Sequence, residues 1–215
     1  MPALSESPYT CSMTPPWKTV TTPIILIGPM CTGKSTLAAL LAGRLALPRV
    51  ELDDIRWDYY TEAGYNDDDA RSAHESGGTL AFLAYCKPFE AYAVERALDS
   101  FSAAVIDFGA GHTVQDDPTL AKRVAQALAP HPNVILPLPS PDPARSIEVL
   151  NRRLRKLLLR EVGSVDESVL EINAHFITHP ANHSLAKHIL FTEGEEPAET
   201  CQRILALIQH GTNRI

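Results

Sequence analysis

The chain has 215 residues, enough for one well-packed domain, and its 45% content of hydrophobic residues excludes general disorder. Its 19 basic and 26 acidic side chains leave a net charge of −7, which argues against nucleic acid or an anionic membrane as a partner. No apolar run approaches the roughly 18 residues that span a bilayer, and the four cysteines form no CxxC pair, so we expect free thiols in the cytoplasm.

The first 21 residues are rich in proline, serine and threonine, a composition that cannot bury a core. We predict a flexible extension over residues 1–21 and a single domain over residues 22–215. Within that domain, apolar strand-like runs alternate with stretches of helical periodicity. The predicted strands are Ile24–Gly28, Arg49–Asp53, Ala103–Asp107, Asn133–Leu138 and His188–Thr192. The predicted helices are Ser35–Leu47, Thr79–Ser100, Pro118–Ala129, Pro143–Arg160, Asp166–Thr178 and Ala198–Gln209.

This alternation predicts an α/β fold, a three-layer sandwich in which helices cover both faces of a five-stranded parallel sheet. The polar stretch Ala63–Gly78, with its acidic run Asp67–Asp69, is predicted to be a solvated surface segment. Ligands of open parallel sheets bind at the carboxyl ends of the strands, so the residues that follow each strand are the candidates for a functional site.

The residues after the first predicted strand, Gly28–Thr36, satisfy the P-loop (Walker A) pattern without a mismatch. Their place between a strand and a helix allows backbone N–H groups and a helix N-terminus to cradle phosphates. In this pattern Lys34 reaches the β- and γ-phosphates, Ser35 ligates Mg²⁺ and Thr36 contacts the α-phosphate. We therefore predict ATP and Mg²⁺ as cofactors. The predicted nucleotide contacts in the loop are Gly28, Met30, Cys31, Thr32, Gly33, Lys34, Ser35 and Thr36.

Acidic residues end the second and third predicted strands. Glu51 and Asp53 would point to the same side of the second strand, an arrangement that suits magnesium binding and proton abstraction from an alcohol. Helix capping by Asp53 or Asp54 is the alternative interpretation. Asp107 closes the third strand as a Walker B carboxylate does, and we predict that it holds Mg²⁺.

The loop after Asp107 contains Gly109, Gly111 and His112. The two glycines allow the backbone to approach a ligand closely. His112 is predicted either to contact the substrate or to be an ordinary surface residue. The aromatic run that includes Trp57 has two interpretations as well, since it would either stack on a substrate ring or pack in the core.

The fourth predicted strand leads into a helix that is dense in basic residues from Arg145 to Arg160. We interpret this helix as part of a basic lid whose arginines close on ATP and neutralise the charge that develops on the transferred phosphoryl group. The alternatives are a solvated basic face with pairs such as Arg145–Glu148, or a surface that binds RNA.

With these motifs in view, the chain from residue 23 onward resembles the shikimate kinase family of P-loop small-molecule kinases. The phosphate loop is very similar to that of the family, and Glu51-Leu52-Asp53 falls where the family has Asp-x-Asp. By this resemblance Glu51 would assist Mg²⁺ binding, and Asp53 would bind or deprotonate the acceptor hydroxyl.

Three later segments carry the resemblance further. Gly109–Gly111 falls where the family has its glycine-rich substrate loop, and Thr192–Glu199 resembles the loop beside the adenine. The run Arg155–Leu158 is similar to the Arg-Pro-Leu-Leu of the family's lid. The resemblance therefore implies that Arg155 is the lid arginine, with a role in ATP binding and catalysis.

The chain departs from the family where the substrate carboxylate is bound. The family has an arginine ahead of a glutamate before the third strand, and here Tyr92 stands at the expected position within Lys87–Glu95. The family's later arginine is also missing from Thr178–His183. Losing both bidentate arginines would weaken carboxylate recognition strongly, so shikimate itself is not the predicted substrate.

These features predict an ATP-dependent kinase that phosphorylates a hydroxyl of a small metabolite, and we expect a monomer or a homodimer. The alternatives are a nucleoside or nucleotide kinase, an RNA 5′-hydroxyl kinase, which the acidity of the chain disfavours, and a non-catalytic nucleotide switch, which would not need the carboxylates. The predicted catalytic residues are Lys34, Asp53, Asp107 and Arg155. The predicted substrate contacts are Asp53, Trp57, Lys87, Tyr92, Gly109, Gly111 and His112. The predicted metal ligands are Ser35, Glu51 and Asp107.

Overall fold

The computed structural model describes residues 20–212 of the chain, with side chains as far as residue 208. Five parallel strands form one sheet in the order β2-β3-β1-β4-β5. The strands are β1 (Ile24–Leu26), β2 (Arg49–Glu51), β3 (Val105–Asp107), β4 (Val134–Leu138) and β5 (His188–Phe191). The predicted α/β class and the five-stranded parallel sheet are confirmed.

Eight helices connect and cover these strands in the described part of the chain. They are α1 (Lys34–Leu45), α2 (Leu52–Glu62), α3 (Asp67–Ser100), α4 (Pro118–Leu128), α5 (Pro143–Glu161), α6 (Glu167–Thr178), α7 (Pro180–Leu185) and α8 (Pro197–Thr212). Among the residues described, no helix is long and apolar enough to cross a membrane.

The central strands consist of apolar runs because helices bury them from both sides. On one face, Ile24 and Leu26 of β1 belong to a core that includes residues of α1 and α8. On the other face, Ile25 and Ile106 belong to a core that includes residues of α3 and α4. Parallel strands covered on both faces need apolar side chains in both directions, which explains the continuous hydrophobic runs in the sequence.

The strand register brings acidic side chains to one edge of the sheet. Asp107 lies opposite Leu26 of β1 and also opposite Glu51 of β2. The loop after β1, the start of α2 and the loop after β3 therefore leave the sheet at the same level. This edge is where parallel sheets bind ligands.

Two predicted segments need correction. The strand predicted over Arg49–Asp53 ends at Glu51, so Asp53 lies in the first turn of α2 and does not share a strand face with Glu51. Acidic residues are favourable in a first helical turn because of the helix dipole, which explains the early start of α2.

The stretch Ala63–Gly78 lies largely at the surface, as predicted, but most of it is helical, since α3 begins within it at Asp67. The Asn66 side chain caps this helix by accepting the N–H groups of Asp68 and Asp69. The helix is interrupted only at Gly77–Gly78, where the backbone angles are non-helical and Gly78 has a φ of 65°. Of the predicted extension 1–21, all but residues 20 and 21 lies outside the described part of the chain.

Candidate active site

The phosphate loop lies between β1 and α1 and depends on two glycines with positive φ. Gly28 has a φ of 124° and Gly33 a φ of 94°. A Cβ added at Gly28 would also come within 2.6 Å of the Leu136 side chain on β4. Cys31 adopts a φ of 63°, which is left-handed backbone for a non-glycine residue. The loop leads directly into the N-terminus of α1, so the first N–H groups of that helix face the loop.

Lys34 is buried and folds back over the loop. Its ammonium group donates to the carbonyl oxygens of Gly28 and Pro29, both at 2.9 Å. Burial lowers the pKa of Lys34, while the charges of Asp107 and Asp53 oppose that shift. An ammonium group with three donors can therefore bridge the loop and a bound phosphate.

Asp107 is a buried carboxylate that is suited to bind a metal ion. Burial raises its pKa, whereas Lys34 and a hydrogen bond from the Ser35 hydroxyl lower it. Its Oδ1 atom is buried and has no hydrogen-bond partner among the described residues. Carboxylate and hydroxyl oxygens are hard ligands that Mg²⁺ accepts, so Ser35 and Asp107 fit the predicted magnesium site. Glu51, the third predicted ligand, instead forms an ion pair with Arg49 at 2.9 Å.

Asp53 reaches the same edge of the sheet from α2. Its carboxylate lies against Gly109, where an added Cβ would come within 2.6 Å of Oδ2 and 2.7 Å of Cγ. Arg56, one turn further along the helix, donates to Asp53 Oδ1 at 2.7 Å. The structure thus brings Asp53, Gly109 and the phosphate loop together, although Asp53 arrives from a helix.

Lys87 reaches the loop after β3 from α3, but its ammonium group already has three hydrogen-bond partners. It donates to Glu90 Oε2 at 2.7 Å, to the Gly111 carbonyl at 3.1 Å and to the Val114 carbonyl at 2.9 Å. An ammonium group has three N–H donors, so these bonds use all of them. Lys87 therefore supports this loop and has no free donor in this structure, and its predicted contact with a substrate stays a prediction.

The resemblance to the shikimate kinases placed Tyr92 and Glu95 at the substrate site, but the structure places both residues elsewhere. Tyr92 hydrogen-bonds Glu62 at the far end of α2, and Glu95 pairs with Arg123 of α4 at 2.6 Å and 2.8 Å. The cation and glutamate that border Gly111 are Lys87 and Glu90, five residues earlier. The structure does not bring Tyr92 together with the other predicted substrate contacts, since its partner Glu62 lies about two and a half helical turns along α2 from Asp53.

His112 is 1% exposed, which excludes the interpretation that it is an ordinary surface residue. Its Nδ1 lies 3.2 Å from the carbonyl oxygen of Gly109, so Nδ1 carries the proton and donates it. Nε2 is buried without a partner among the described residues and presents a lone pair. Burial lowers the pKa of His112, which keeps the imidazole neutral.

The aromatic run divides between core and surface. Tyr60 is fully buried and packs against Tyr65 and Phe89, with ring centroids 5.7 Å apart in both contacts. Trp57 is 44% exposed, meets Tyr60 edge-on and carries the Arg56 guanidinium 4.9 Å above its ring. Trp57 therefore has the most exposed ring of the run, while Tyr59 is half-buried with Arg96 over its ring.

The arginine that contacts the phosphate loop is Arg153. Its guanidinium donates to the Cys31 carbonyl at 3.3 Å and borders a cavity of about 200 Å³ beside Thr32 and Thr192. Arg155 instead forms a bidentate ion pair with Glu167 of α6, at 2.6 Å and 2.7 Å. In this structure it is Arg153 that contacts the phosphate loop, and the lid role of Arg155 stays a prediction.

The position of Arg153 follows from the buried stripe of α5. Val149, Leu150 and Leu154 are buried, and Arg153 lies at the edge of that stripe, one helical turn after Val149. Arg145, Arg152 and Arg155 point elsewhere and pair with glutamates. The buried periodicity of α5 was therefore the signal that could have singled out Arg153.

A second polar group lies at the C-terminal end of α6. His175 and His179 approach Asp116 Oδ1 through their Nε2 atoms, at 3.8 Å and 3.4 Å. His179 Nδ1 accepts the N–H of Ala181 at 3.2 Å, so its proton resides on Nε2. A protonated Nε2 has no lone pair for a metal, and at these distances the trio is a polar contact of two imidazoles with one carboxylate.

Comparison with solved structures finds proteins of similar fold. A shikimate kinase from Acinetobacter baumannii in complex with shikimate is 21% identical, with a TM-score of 0.61 over 91% of this chain and 97% of that chain. A shikimate kinase from Bacteroides thetaiotaomicron is 20% identical, with a TM-score of 0.53 over 87% and 98%. A gluconokinase from Sinorhizobium meliloti is 16% identical, with a TM-score of 0.53 over 90% and 95%.

No protein-family model and no curated protein matches the sequence. The chain has the shikimate kinase-like P-loop kinase fold, which confirms the structural side of the resemblance. At these identities the comparison establishes the fold, and the activity has to be argued from the site.

Proposed function

We propose that this protein is an ATP-dependent kinase that transfers the γ-phosphate to a hydroxyl group of a small metabolite. The observation that carries the proposal is the convergence of Asp53 with Lys34 and Asp107 at one edge of the sheet, where both carboxylates act on the pKa of Lys34. Nucleotide binding alone does not require Asp53. A carboxylate beside the place of the γ-phosphate suits an incoming hydroxyl, which it can orient and deprotonate.

The donor side is supplied by the phosphate loop. Backbone N–H groups and Lys34 would bind the phosphates, and Arg153 would cover the nucleotide from α5. Ser35 and Asp107 would hold Mg²⁺, which neutralises phosphate charge when it is bound. A role as Mg²⁺ ligand would account for the buried oxygen of Asp107 that has no hydrogen-bond partner.

On the acceptor side, we propose an uncharged, polyhydroxylated compound other than shikimate. Two cations of α2 and α3 near the loop after β3 already face carboxylates, since Lys87 pairs with Glu90 and Arg56 with Asp53, while Arg56 Nε is buried and has no partner among the described residues. A substrate carboxylate would therefore compete with Glu90 or Asp53 for its cation, whereas a neutral hydroxyl group would not. The unpartnered Nε2 of His112 can accept a hydrogen bond from a hydroxyl group, which supports a second hydroxyl on the acceptor.

A nucleoside is the second candidate for the acceptor. It is favoured by Trp57, which exposes 44% of its surface one helical turn after Asp53. An RNA 5′-end is not favoured by the site, because most arginines of α5 are paired with glutamates.

The proposal is tested by measuring ATP-dependent ADP formation with a panel of neutral polyols and sugars, nucleosides, shikimate and gluconate. We expect acceptor-dependent ADP formation with a neutral polyol and its loss in Lys34→Ala, with the exposed Lys122→Ala of α4 as the control. Robust phosphorylation of shikimate would refute the proposed acceptor chemistry. Equal turnover in the wild type and Lys34→Ala would refute the kinase itself.

A further inference from the structure

A chain of two side-chain amides, the buried Asn173 and the half-buried Asn151, supports the phosphate loop. The backbone N–H of Met30 donates to Asn173 Oδ1 at 2.8 Å, across 143 positions of sequence. Asn173 lies on α6 and is 0% exposed. Its Nδ2 donates to Asn151 Oδ1 on α5 at 3.0 Å, and Asn151 Nδ2 donates to the Leu170 carbonyl at 3.1 Å.

The direction of every bond in this chain is determined. If the Asn173 amide were flipped, its NH₂ group would face the Met30 N–H, and two donors would meet in a buried site. The same reasoning fixes Asn151, whose Oδ1 accepts from Asn173 while its Nδ2 reaches a carbonyl oxygen. A buried polar chain in which each bond depends on the next specifies one arrangement of the groups it connects.

The chain connects the phosphate loop to both α5 and α6. Asn151 belongs to α5 and Asn173 to α6, and these helices are joined through residues 162–166. Met30 is therefore held by a side chain that is itself held by the neighbouring helix. In the described structure, Met30 is the one residue of the phosphate loop that is hydrogen-bonded to a side chain of α6.

We propose that Asn173 is a positioning residue, which orders the phosphate loop through the Met30 amide before the nucleotide binds, with Asn151 acting through it. The consequence for nucleotide affinity rests on the proposed kinase function, whereas the ordering of the loop does not. A loop that is fixed in advance loses less conformational entropy when it binds phosphate.

A matched control is provided by Asn182 of α7, which is 1% exposed and likewise holds two hydrogen bonds. It accepts from the Thr113 hydroxyl at 2.6 Å and donates to the Phe176 carbonyl at 3.0 Å. Asn182→Ala therefore removes a buried asparagine of the same kind from the same end of the sheet without touching the phosphate loop. Comparing the two variants separates positioning of the loop from general loss of stability.

The experiment compares the wild type with Asn173→Ala, Asn151→Ala, the double variant and Asn182→Ala, all held well below the lowest melting temperature. Amide hydrogen exchange of residues 28–34 is measured without nucleotide, and MgADP affinity is measured by calorimetry. We expect Asn173→Ala to accelerate exchange at Met30 at least 5-fold and to weaken MgADP binding roughly 3- to 10-fold, the range for one lost hydrogen bond.

Asn151→Ala should show a smaller effect of the same kind, and the double variant should match Asn173→Ala, because both substitutions remove one chain of bonds. Asn182→Ala should keep wild-type exchange at Met30 and wild-type MgADP affinity. The inference is overturned if Asn173→Ala and Asn182→Ala change loop exchange equally. Failure of the wild type to bind MgADP would overturn the kinase proposal, and the exchange measurement would still decide the role of Asn173.

Discussion

The carboxylate of Asp53 rests on the Cα of Gly109, so closely that a methyl group at Gly109 would come within 2.6 Å of Oδ2. This contact joins α2 to the loop after β3, and it places the proposed base beside the proposed acceptor loop. Residue 109 is therefore restricted by the position of a side chain, whereas its own backbone angles do not demand glycine.

Gly109→Ala should displace the Asp53 carboxylate and lower turnover by roughly 100-fold, the lower range for loss of a general base. MgADP affinity should stay within about 3-fold of the wild type, because the phosphate loop is not touched. Turnover is measured with the most active acceptor of the panel, and affinity by calorimetry. Gly43→Ala is the control, since an added Cβ meets nothing within 4 Å and should stabilise α1 by about 1 kcal/mol.

Arg153→Ala should raise the KM for ATP by roughly 10-fold, since it removes a charged hydrogen-bond donor beside the phosphate loop. Arg155→Ala should leave kinetics within about 2-fold and change the free energy of unfolding by less than about 1 kcal/mol, because its ion pair is exposed. Steady-state kinetics on both variants decides between the two arginines. A larger kinetic effect in Arg155→Ala would restore the lid role that the sequence suggested.

Lys87→Ala should destabilise the fold by about 3 kcal/mol, because it leaves the buried Glu90 carboxylate without its cation. For a domain of this size the melting temperature should fall by roughly 6–12 °C. Lys87→Met combined with Glu90→Gln should recover part of that loss, since no uncompensated charge remains. If Lys87→Ala lowers acceptor affinity without lowering the melting temperature, then Lys87 binds substrate and its three hydrogen bonds were misjudged.

His112 should make the protein less stable as the pH falls. Burial lowers its pKa in the folded state, so below the ordinary value of about 6.5 the unfolded chain binds more protons than the folded chain. The free energy of unfolding should therefore decrease from about pH 7 towards pH 5, by at most about 1.4 kcal/mol per pH unit for this one group. Urea unfolding at several pH values should give a smaller slope for His112→Asn than for the wild type. Identical slopes would show that His112 titrates normally.

Much of the fold was predictable because its signals are local. Strands buried on both faces are continuous apolar runs, and the phosphate loop is a contiguous pattern between a strand and a helix. The start of α3 was missed because the acidic run Asp67–Asp69 was attributed to solvation. Acidic residues after a capping Asn66 are equally typical of a helix N-terminus.

The site was predictable only in part because its geometry depends on contacts between distant segments. Asp53 was selected for its position in the sequence after the phosphate loop and the second predicted strand. It does reach the site, but from a helix and not from a strand. Arg153 and Arg155 stand in one basic run, and only the packing of α5 shows which of them faces the loop. The pairing of Lys87 with Glu90 likewise appears only when α3 is placed against the loop after β3.

The amide chain through Asn173 and the ion pairs of α5 should respond differently to ionic strength. Salt at 0.1 M screens charges over about 10 Å, so the exposed pairs of Arg145, Arg152 and Arg155 weaken as salt is added. Neutral buried amides have no net charge to screen. The phosphate loop should therefore keep its shape in concentrated salt while the arginines of α5 loosen from their glutamates.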